Sequence, residues 1–431
     1  MTNVAEILGK VIGSDRIVAP DHLPLPSYLT PAAVVYPTTE AELSAVMACA
    51  HEHRWRVIPC GSGSKLAWGG IGSGVDLIVS TARLNQVIDH AVGDMTLTAQ
   101  AGAKLSDLAP RLAEHNQLLA VDPAYPDRAT LGGIVATADT GSLRQRYGGL
   151  RDLLIGIAFV RFDGQIARAG GRVVKNVAGY DLMKLMTGSY GTLGIISQLT
   201  FRLHPVQAVS NTVVITGAAS PLAALASAFS LSPLTPVALD LLTPALTARL
   251  GWGDSFALLA RFQSIGPGVE EQVGALLAMV GPELSAKVLE GQAEAQIWAT
   301  VGDILFPPPA TQDQTVVAKV GVPPAQVVSW LDQLPAGSLA RFHRGSGIGT
   351  VRLAAATADL VMQLRSPQGN AAQTPAPLPP TYLTLLEAPD ALKRSVDVWG
   401  YSGNALGPMK ALKAQFDPHN RLSPGRFVGG I

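Results

Sequence analysis

The stretch VVYPTTEAELSAVMACAHEHRWRVIPC, residues 34–60, predicts a strand, a helix and a second strand in succession. Thr39 and Glu42 have the spacing of a capping box, in which two side chains satisfy free N–H groups at a helix start. Apolar residues then recur every three or four positions, so the helix has one buried face. The second strand, near residues 57–59, ends in a glycine-rich loop at its carboxyl end, where α/β sheets usually place ligands.

That loop is CGSGSK, residues 60–65. Backbone N–H groups approach an anion closely where no Cβ intervenes, so a loop of this composition can wrap a phosphate. The alternative is a plain turn, although short turns rarely need this many glycines. The loop therefore predicts phosphate binding.

Two common phosphate loops do not fit these residues. A nucleoside-triphosphatase P-loop needs a hydroxyl after its lysine, whereas Leu66 follows Lys65. A Rossmann fingerprint needs a third glycine where Leu66 stands, and an acidic residue about 20 positions on, where residues 80–86 read STARLNQ. A flavin pyrophosphate loop is the third interpretation.

Composition narrows the class of protein. A chain of 431 residues exceeds one ordinary core, so two or three domains are expected. Hydrophobic residues make up 48% and charged residues 15%, and the 32 basic residues equal the 32 acidic ones, so no nucleic-acid surface is expected. Two cysteines, no signal-peptide pattern and no apolar run of about 18 residues predict a cytoplasmic protein. Peripheral attachment at the inner membrane through partners stays open.

The pattern of predicted helices and strands changes at Pro205. Before it, FVRFDGQIAR predicts a hairpin with Asp163-Gly164 at the turn. After it, Ala/Leu-rich helices alternate with short strands as far as about Leu364, which indicates a second α+β domain. SPQGNAAQTPAPLPP has the composition of an exposed linker, and FDPHNRLSPGRF is a turn-rich closing segment. No internal repeat stands out.

Two further glycine-rich regions, residues 121–152 and 170–205, complete a pattern. KNVAGYDL joined to GSYGTLGII, residues 175–182 and 188–196, resembles the smaller FAD-binding subunit of bacterial glycolate oxidase. That subunit is one of the flavoproteins of the vanillyl-alcohol oxidase and p-cresol methylhydroxylase type. The resemblance covers residues 34–205 and the closing segment, and it depends on the order and spacing of several motifs.

The resemblance implies an α+β fold with four parts. Residues 1–205 are expected to form a two-subdomain FAD-binding domain of the p-cresol methylhydroxylase type. Residues 206–365 are expected to form a ferredoxin-like α+β cap, residues 366–385 a Pro-rich linker, and residues 386–431 a segment that returns to the FAD domain.

The resemblance also implies a site for FAD. The pyrophosphate loop falls on Cys60, Gly61, Ser62, Gly63, Ser64 and Lys65. A second contact falls on Thr130, Leu131, Gly132 and Gly133, approached by Asp122 and Pro123, with Ala136, Thr137, Thr140 and Gly141 along the same channel and Ile196 near the cofactor. Tight helix packing is the alternative for Gly132 and Gly133. Some family members attach FAD through a His in the first loop, which this loop lacks, so non-covalent FAD is expected.

Two further groups of residues are assigned a role less directly. The glycine turn at Gly188, Gly191 and Gly194, with Tyr190, is implied to approach the adenine and ribose, although such turns are also ordinary structural devices. Lys175, Asn176, Tyr180 and Asp181 are interpreted as a buried hydrogen-bond network that holds this turn.

No catalytic residue is assigned from the sequence. The related larger subunit carries a His and Glu metal cluster, and His343 lies where such a cluster would begin. No second His or Glu follows at ligand spacing, so no metal site is expected. Arg341 and Arg344 are suited to hold a carboxylate, but no base stands out.

Three hypotheses therefore stay open. The first is an FAD-binding subunit of a glycolate (2-hydroxy acid) oxidase or dehydrogenase complex, with a larger flavin subunit and an iron–sulfur subunit as partners. It would carry flavin for oxidation or for electron relay, and the partner could bind the substrate. The second is a self-sufficient FAD-dependent oxidoreductase for a hydroxy acid or alcohol, and the third is a non-catalytic scaffold with weak flavin affinity.

Overall fold

The structure is a computed structural model, and it describes residues 4–171, 179–307, 314–366 and 382–431. The chain divides into two units. The first comprises Met1–Thr140, Gly148–Val206 and Tyr401–Ile431, and the second comprises Gly141–Tyr147 and Gln207–Gly400. Residues 386–400, expected in the returning segment, fall in the second unit, because the strand Tyr382–Glu387 pairs in that unit's sheet.

The elements of the first unit are numbered along the whole chain. Its strands are β1 (Ile17–Val18), β2 (Ala33–Val35), β3 (Val57–Cys60), β4 (Leu77–Ser80), β5 (Val87–Ala91), β6 (Thr96–Gln100), β7 (Gln117–Leu118), β8 (Leu154–Val160), β9 (Ile166–Gly170), β10 (Ile195–Arg202) and β11 (His204–Pro205). Its helices are α1 (Val4–Ile12), α2 (Glu40–Glu52), α3 (Leu105–Ala113), α4 (Leu131–Thr137), α6 (Leu150–Leu153), α7 (Leu182–Met186) and α15 (Leu406–Phe416).

The first subdomain of this unit is a four-stranded sheet in the order β1-β2-β4-β3. β2, β4 and β3 are parallel, and α2 connects β2 to β3 as the sequence predicts. The Thr39 hydroxyl accepts the Glu42 N–H at 3.1 Å. The Glu42 carboxylate in turn accepts from Thr38 N at 2.7 Å.

The second subdomain is an antiparallel sheet in the order β5-β6-β10-β8-β9. β8 and β9 form the predicted hairpin, and Gly164 at its turn has a φ of +85°. Apolar side chains from this sheet, α3 and α4 share one core. The start of α4 is thereby fixed against the sheet.

The closing segment joins the first subdomain as an added edge. Leu422 lies beside Val57 in a parallel bridge, and Ser423 N donates to Val57 O at 2.8 Å. The buried Lys413 ammonium holds the segment in place, since it donates to Asp417 at 2.6 Å and to Leu422 O at 2.7 Å. Residues after 420 therefore lie beside the strand that carries the first glycine loop.

The second unit contains one large antiparallel sheet in the order β15-β12-β14-β13-β17-β18-β16-β19. Its strands are β12 (Val209–Gly217), β13 (Ala238–Leu242), β14 (Phe256–Ser264), β15 (Ser285–Glu290), β16 (Val316–Gly321), β17 (Leu339–His343), β18 (Ile348–Leu353) and β19 (Tyr382–Glu387). Its helices are α5 (Arg144–Tyr147), α8 (Ala219–Ser230), α9 (Pro244–Arg249), α10 (Gly266–Ala278), α11 (Gly291–Leu305), α12 (Val327–Leu331), α13 (Ala358–Arg365) and α14 (Asp390–Ser395).

This sheet is built from a repeat that the sequence does not reveal. Apart from the short helix α9, which lies between β13 and β14 in the first half only, β12-α8-β13-β14-α10-β15 and β16-α12-β17-β18-α13-β19 have the same βαββαβ order, and each forms a ferredoxin-like set of four strands. The two halves join where β13 pairs with β17. The repeat is hidden in the sequence because equivalent elements differ in length: β12 has nine residues and β16 six, and α8 has twelve and α12 five.

Candidate cofactor site

A cleft of about 810 Å³, including the part open to solvent, lies in the first unit. Its wall is formed by the carboxyl ends of β3 and β4, the start of α4, the turn before β10 and the closing segment. The lining residues are Ile58–Leu66, Trp68, Thr81, Thr130, Gly132, Gly133, Ala136, Thr137, Ser189–Gly191, Gly194–Ile196, Ser423 and Arg426.

The loop after β3 presents unbonded main-chain donors. Within the described part of the chain, the amides of Ser62, Gly63, Ser64 and Lys65 donate no hydrogen bond. Gly63 has a φ of +81°, which side chains rarely adopt. Several adjacent N–H groups without acceptors form a concave donor set suited to an anion.

Gly61 allows this loop to approach α4. A Cβ at this position would lie 2.0 Å from Thr130 Oγ1, so any side chain would displace the threonine. Thr130 in turn caps α4 by accepting the Gly133 N–H at 3.3 Å. The two predicted contact segments are therefore in direct contact with each other.

In the second predicted segment, the backbone N–H groups of Gly132 and Gly133 donate hydrogen bonds within the protein. Gly132 N donates to Ala101 O at 2.8 Å, and Gly133 N donates to Thr130 Oγ1. A Cβ on Gly132 would lie 2.9 Å from the Ala101 Cβ, so this glycine is required for packing. The packing alternative therefore explains Gly132, while Gly133 remains a small residue in the wall of the cleft.

Hydroxyl groups in the wall lack a hydrogen-bond partner within the described residues, those of Ser64 and Ser189 among them. Ser189 is 5% exposed and its Oγ is enclosed without a partner. The Ser64 hydroxyl also has none, whereas the Ser62 hydroxyl donates to Arg128 O. An enclosed hydroxyl without a partner is costly, and a polar ligand in the cleft would satisfy it.

Lys65 is less available to an anion than the sequence suggested. Its ammonium lies 2.6 Å from Asp139 Oδ2, and it also lies 5.3 Å from the centre of the Trp68 ring. The same carboxylate oxygen accepts the Ala124 N–H at 2.9 Å. Because Asp139 compensates its charge, Lys65 organises the loop more than it attracts a phosphate.

A second cation enters the wall from the closing segment. Arg426 is 5% exposed, and its Nη2 donates to Leu66 O at 2.6 Å and to Trp68 O at 2.8 Å. Burial lowers the pKa of Arg426 and raises that of Tyr190, which the Asp139 carboxylate raises further. An anion in the cleft would lower the cost of burying this guanidinium.

Cys60 begins the loop and presents an unreactive thiol. Burial raises its pKa to about 12, although a hydrogen bond involving Ser80 acts in the opposite direction. The thiol is therefore neutral at physiological pH and a weak nucleophile.

Most of the predicted cofactor residues come together in this cleft. Those that line it are Cys60, Gly61, Ser62, Gly63, Ser64, Lys65, Thr130, Gly132, Gly133, Ala136, Thr137 and Ile196, together with Tyr190, Gly191 and Gly194. Asp122, Pro123, Leu131 and Thr140 are outside the lining, Leu131 being part of the apolar core, and Gly141 belongs to the second unit.

The sequence missed several lining residues, among them Ser189, Ser423 and Arg426, and one predicted network is different. No local sequence pattern marks Ser189 or Ser423 as a site residue. Arg426 lies in the closing segment, to which the sequence analysis assigned no site residue. Tyr180 is 90% exposed, and Asp181 caps α7 and pairs with Lys184 at 2.8 Å, so these two do not form a buried network. Lys175 and Asn176 lie outside the described residues.

The described residues contain no cluster of three or more His, Cys, Asp and Glu side chains arranged to hold a metal ion. Within the same ranges, no helix combines the length and apolar character needed to cross a bilayer.

Comparison with known proteins finds relatives of the first unit. Residues 31–170 match the family of the FAD binding domain. The chain is 32% identical over 184 residues to glycolate oxidase subunit GlcD of Bacillus subtilis, covering 43% of this chain and 39% of that protein. It is 34% identical over 185 residues to D-2-hydroxyglutarate dehydrogenase of Xanthomonas citri, with the same coverage of both chains. It is 36% identical over 146 residues to glycolate oxidase subunit GlcE of Escherichia coli, covering 34% of this chain and 41% of that protein.

A solved structure agrees on the fold. Glucooligosaccharide oxidase of Acremonium strictum superposes with a TM-score of 0.71 and 14% identity, covering 96% of this chain and 97% of that one. The chain thus has the α+β fold of p-cresol methylhydroxylase-type flavoenzymes, and its residues 31–170 match an FAD binding domain. It is similar in sequence to glycolate oxidase subunits and to D-lactate and D-2-hydroxyglutarate dehydrogenases. The matched segments span about two fifths of the length of these curated relatives.

Proposed function

We propose that this chain holds FAD non-covalently in the cleft and is the FAD-binding subunit of a complex that oxidises glycolate or a similar 2-hydroxy acid. The observation that carries the proposal is the set of unbonded amides at residues 62–65, which line the cleft. Relatives named as glycolate oxidase subunits support the substrate class.

The wall of the cleft suits a dinucleotide. The loop amides would neutralise the diphosphate, and the Ser64 and Ser189 hydroxyls would donate to it or to the ribityl chain. Arg426 would add a fixed positive charge from the closing segment. When bound, FAD supplies the hydride acceptor that oxidation of an alcohol requires.

The residues of the loop support non-covalent attachment. Residues 60–65 contain no His, and the Cys60 thiol is neutral because burial raises its pKa. The purified protein should be yellow, and acid precipitation should release the colour into the supernatant. A yellow pellet would show a covalent bond and refute this part of the proposal.

The partners are proposed from the relatives. We expect a larger flavin subunit and a cysteine-rich iron–sulfur subunit to copurify with this chain, and the assembly to reach the inner membrane through them. Isolation of the natively expressed protein, followed by subunit identification and iron analysis, tests this assignment. Recovery of the chain alone, with full glycolate-dependent reduction of its own flavin, would instead support a self-sufficient oxidoreductase.

The decisive experiment for the proposal is an anaerobic absorbance spectrum of the isolated chain before and after glycolate. Flavin bands in the first spectrum are expected under both enzymatic assignments. A colourless protein that takes up no added FAD would contradict both and leave a non-catalytic scaffold.

A further inference from the structure

A single buried ammonium joins three segments of the first unit. Lys413 is 6% exposed, and its Nζ donates to Asp417 Oδ2 at the end of α15 at 2.6 Å. It also donates to Thr192 O at 2.9 Å and to Leu422 O at 2.7 Å, so all three of its N–H donors are used. Thr192 lies in the turn before β10, and Leu422 lies in the closing segment beside β3. Lys413 therefore connects two segments that form the wall of the cleft.

The turn before β10 is a small unit that Thr192 closes. The N–H and the hydroxyl of Thr192 both donate to Ser189 O, at 3.0 and 2.6 Å. Ser189 and Tyr190 line the cleft, and the Ser189 hydroxyl is enclosed without a partner among the described residues. The turn also packs tightly against β3, since a Cβ on Gly191 would lie 2.4 Å from Pro59 Cγ. A hydrogen bond to Thr192 O thus fixes where the Ser189 hydroxyl lies.

The closing segment depends on the same ammonium and its carboxylate partner. Leu422 N donates to Asp417 Oδ2 at 2.7 Å, while Leu422 O accepts from Lys413. Both main-chain groups of Leu422 are therefore held by the ion pair. Ser423 follows directly and Arg426 three residues later, and both line the cleft. A shift of Leu422 would move the segment that carries these two side chains.

Stability alone does not account for this ion pair. Asp417 is 1% exposed, and its Oδ1 is enclosed with no hydrogen-bond partner within the described part of the chain. Burial lowers the pKa of Lys413, while the charge of Asp417 and its hydrogen bond act in the opposite direction. Apolar residues of similar volume often stabilise a protein as well as a buried ion pair does. An ammonium, unlike an apolar side chain, holds three acceptors at fixed distances from one another.

We propose that Lys413 is a positioning residue for the cofactor, which holds the turn before β10 and the closing segment at the separation that FAD requires. Lys413 is not among the residues that line the cleft, so it acts through Ser189 on one side and Arg426 on the other. Its role in cofactor binding rests on the proposed function. FAD affinity should depend on this ammonium even in protein that is fully folded.

The test measures FAD affinity of the flavin-stripped full chain by fluorescence titration, at a temperature where urea denaturation shows every variant to be folded. The main variant is Lys413→Met with Asp417→Asn. It leaves no buried charge unpaired, and the Asn carbonyl oxygen can still accept the Leu422 N–H. FAD affinity should decrease about tenfold or more. Lys413→Gln with Asp417→Asn keeps a shorter, neutral donor and should have an intermediate affinity.

The matched control is a buried ion pair of the second unit, in which Arg261 Nε lies 2.7 Å from Glu294 Oε1. Arg261→Met with Glu294→Gln removes that pair in the same way and should lower stability without changing FAD affinity. Hydrogen exchange of the flavin-free proteins gives a second readout. The amides of residues 189–192 and 421–426 should exchange faster in the main variant than in the parent, and at the parent rate in the control.

Three outcomes would contradict the proposal, and they differ in what else they exclude. An unchanged FAD affinity in the folded main variant would overturn the role of Lys413 and leave the proposed function intact. An equal loss of affinity in the Arg261 and Glu294 control would also overturn it, because the effect would then follow from stability. A parent protein that takes up no FAD would refute the proposed function and the positioning role together.

Discussion

The two glycine-rich segments of the first unit look alike in sequence and differ in how they use their backbone. In CGSGSK, the amides of residues 62–65 have no acceptor within the described chain, and they line the cleft. In TLGG, Leu131 N and Gly132 N donate to Ala103 O and Ala101 O, and Gly133 N donates to Thr130. The amides of the first segment can therefore donate to a ligand, whereas the second segment packs against the first through Thr130.

The comparison shows that glycine has two separable roles in this site. At Gly63 a positive φ shapes a donor loop, while Gly132 lets a helix start pack against a neighbouring strand. Substitutions that distort the donor loop should therefore weaken FAD binding, and substitutions that disturb the packing of the start of α4 should lower stability.

The largest effect is expected at the contact between the two segments. In Gly61→Ala the new Cβ would displace Thr130, which shifts the donor loop and removes the cap of α4 at once. We expect at least about a tenfold loss of FAD affinity and a decrease of about 1–3 kcal/mol in the free energy of unfolding. Fluorescence titration of FAD and urea denaturation measure the two quantities.

Gly93→Ala is the control for this change, because Gly93 is exposed and a Cβ there meets nothing within 4 Å. It should behave as the parent protein. An unchanged FAD affinity in Gly61→Ala would mean that the loop does not bind the cofactor.

Gly132→Ala and Gly133→Ala form the second test and should separate the two roles. Gly132→Ala overpacks against Ala101 and should cost about 1–3 kcal/mol of stability, with little change in FAD affinity of the folded fraction. Gly133→Ala adds a methyl group to the cleft wall, 3.2 Å from Thr130 Oγ1, and gains helix propensity, so its cost in stability should be smaller than that of Gly132→Ala while affinity decreases. The reverse pattern would contradict the assignment of the second segment to packing.

A smaller effect is expected for Ser189→Ala. The hydroxyl has no partner within the described residues, so its removal should leave thermal stability unchanged or slightly higher. If it donates to bound FAD, affinity should decrease several-fold. Stability and affinity that decrease together would indicate a structural hydrogen bond instead.

The smallest effect concerns Cys60. Because its pKa is raised to about 12, the thiol is protonated at pH 7–9, and the thiolate fraction increases about tenfold per pH unit toward that value. The native protein should resist iodoacetamide at pH 8, while the denatured protein should react at both cysteines, as mass spectrometry will show. Fast labelling of native Cys60 would indicate an exposed loop.

Sequence could predict the loops but not their hydrogen bonds. Strand, helix and glycine loop at residues 34–65 follow from periodicity and turn chemistry, and these local features are found in the structure. The pairing of Lys65 with Asp139 and the entry of Arg426 into the cleft depend on contacts between distant parts of the chain, which no local pattern reports. The same limit applies to His343, because only the β13–β17 register shows that Asp240 lies beside it.

The central claim is that the amides of residues 62–65 bind a diphosphate, and binding of FAD, riboflavin and ADP to flavin-stripped protein tests it most directly. The account predicts that riboflavin, which has no diphosphate, binds at least about a hundredfold more weakly than FAD, and that ADP competes with FAD for the cleft. Riboflavin that binds as tightly as FAD, with no competition by ADP, would contradict it.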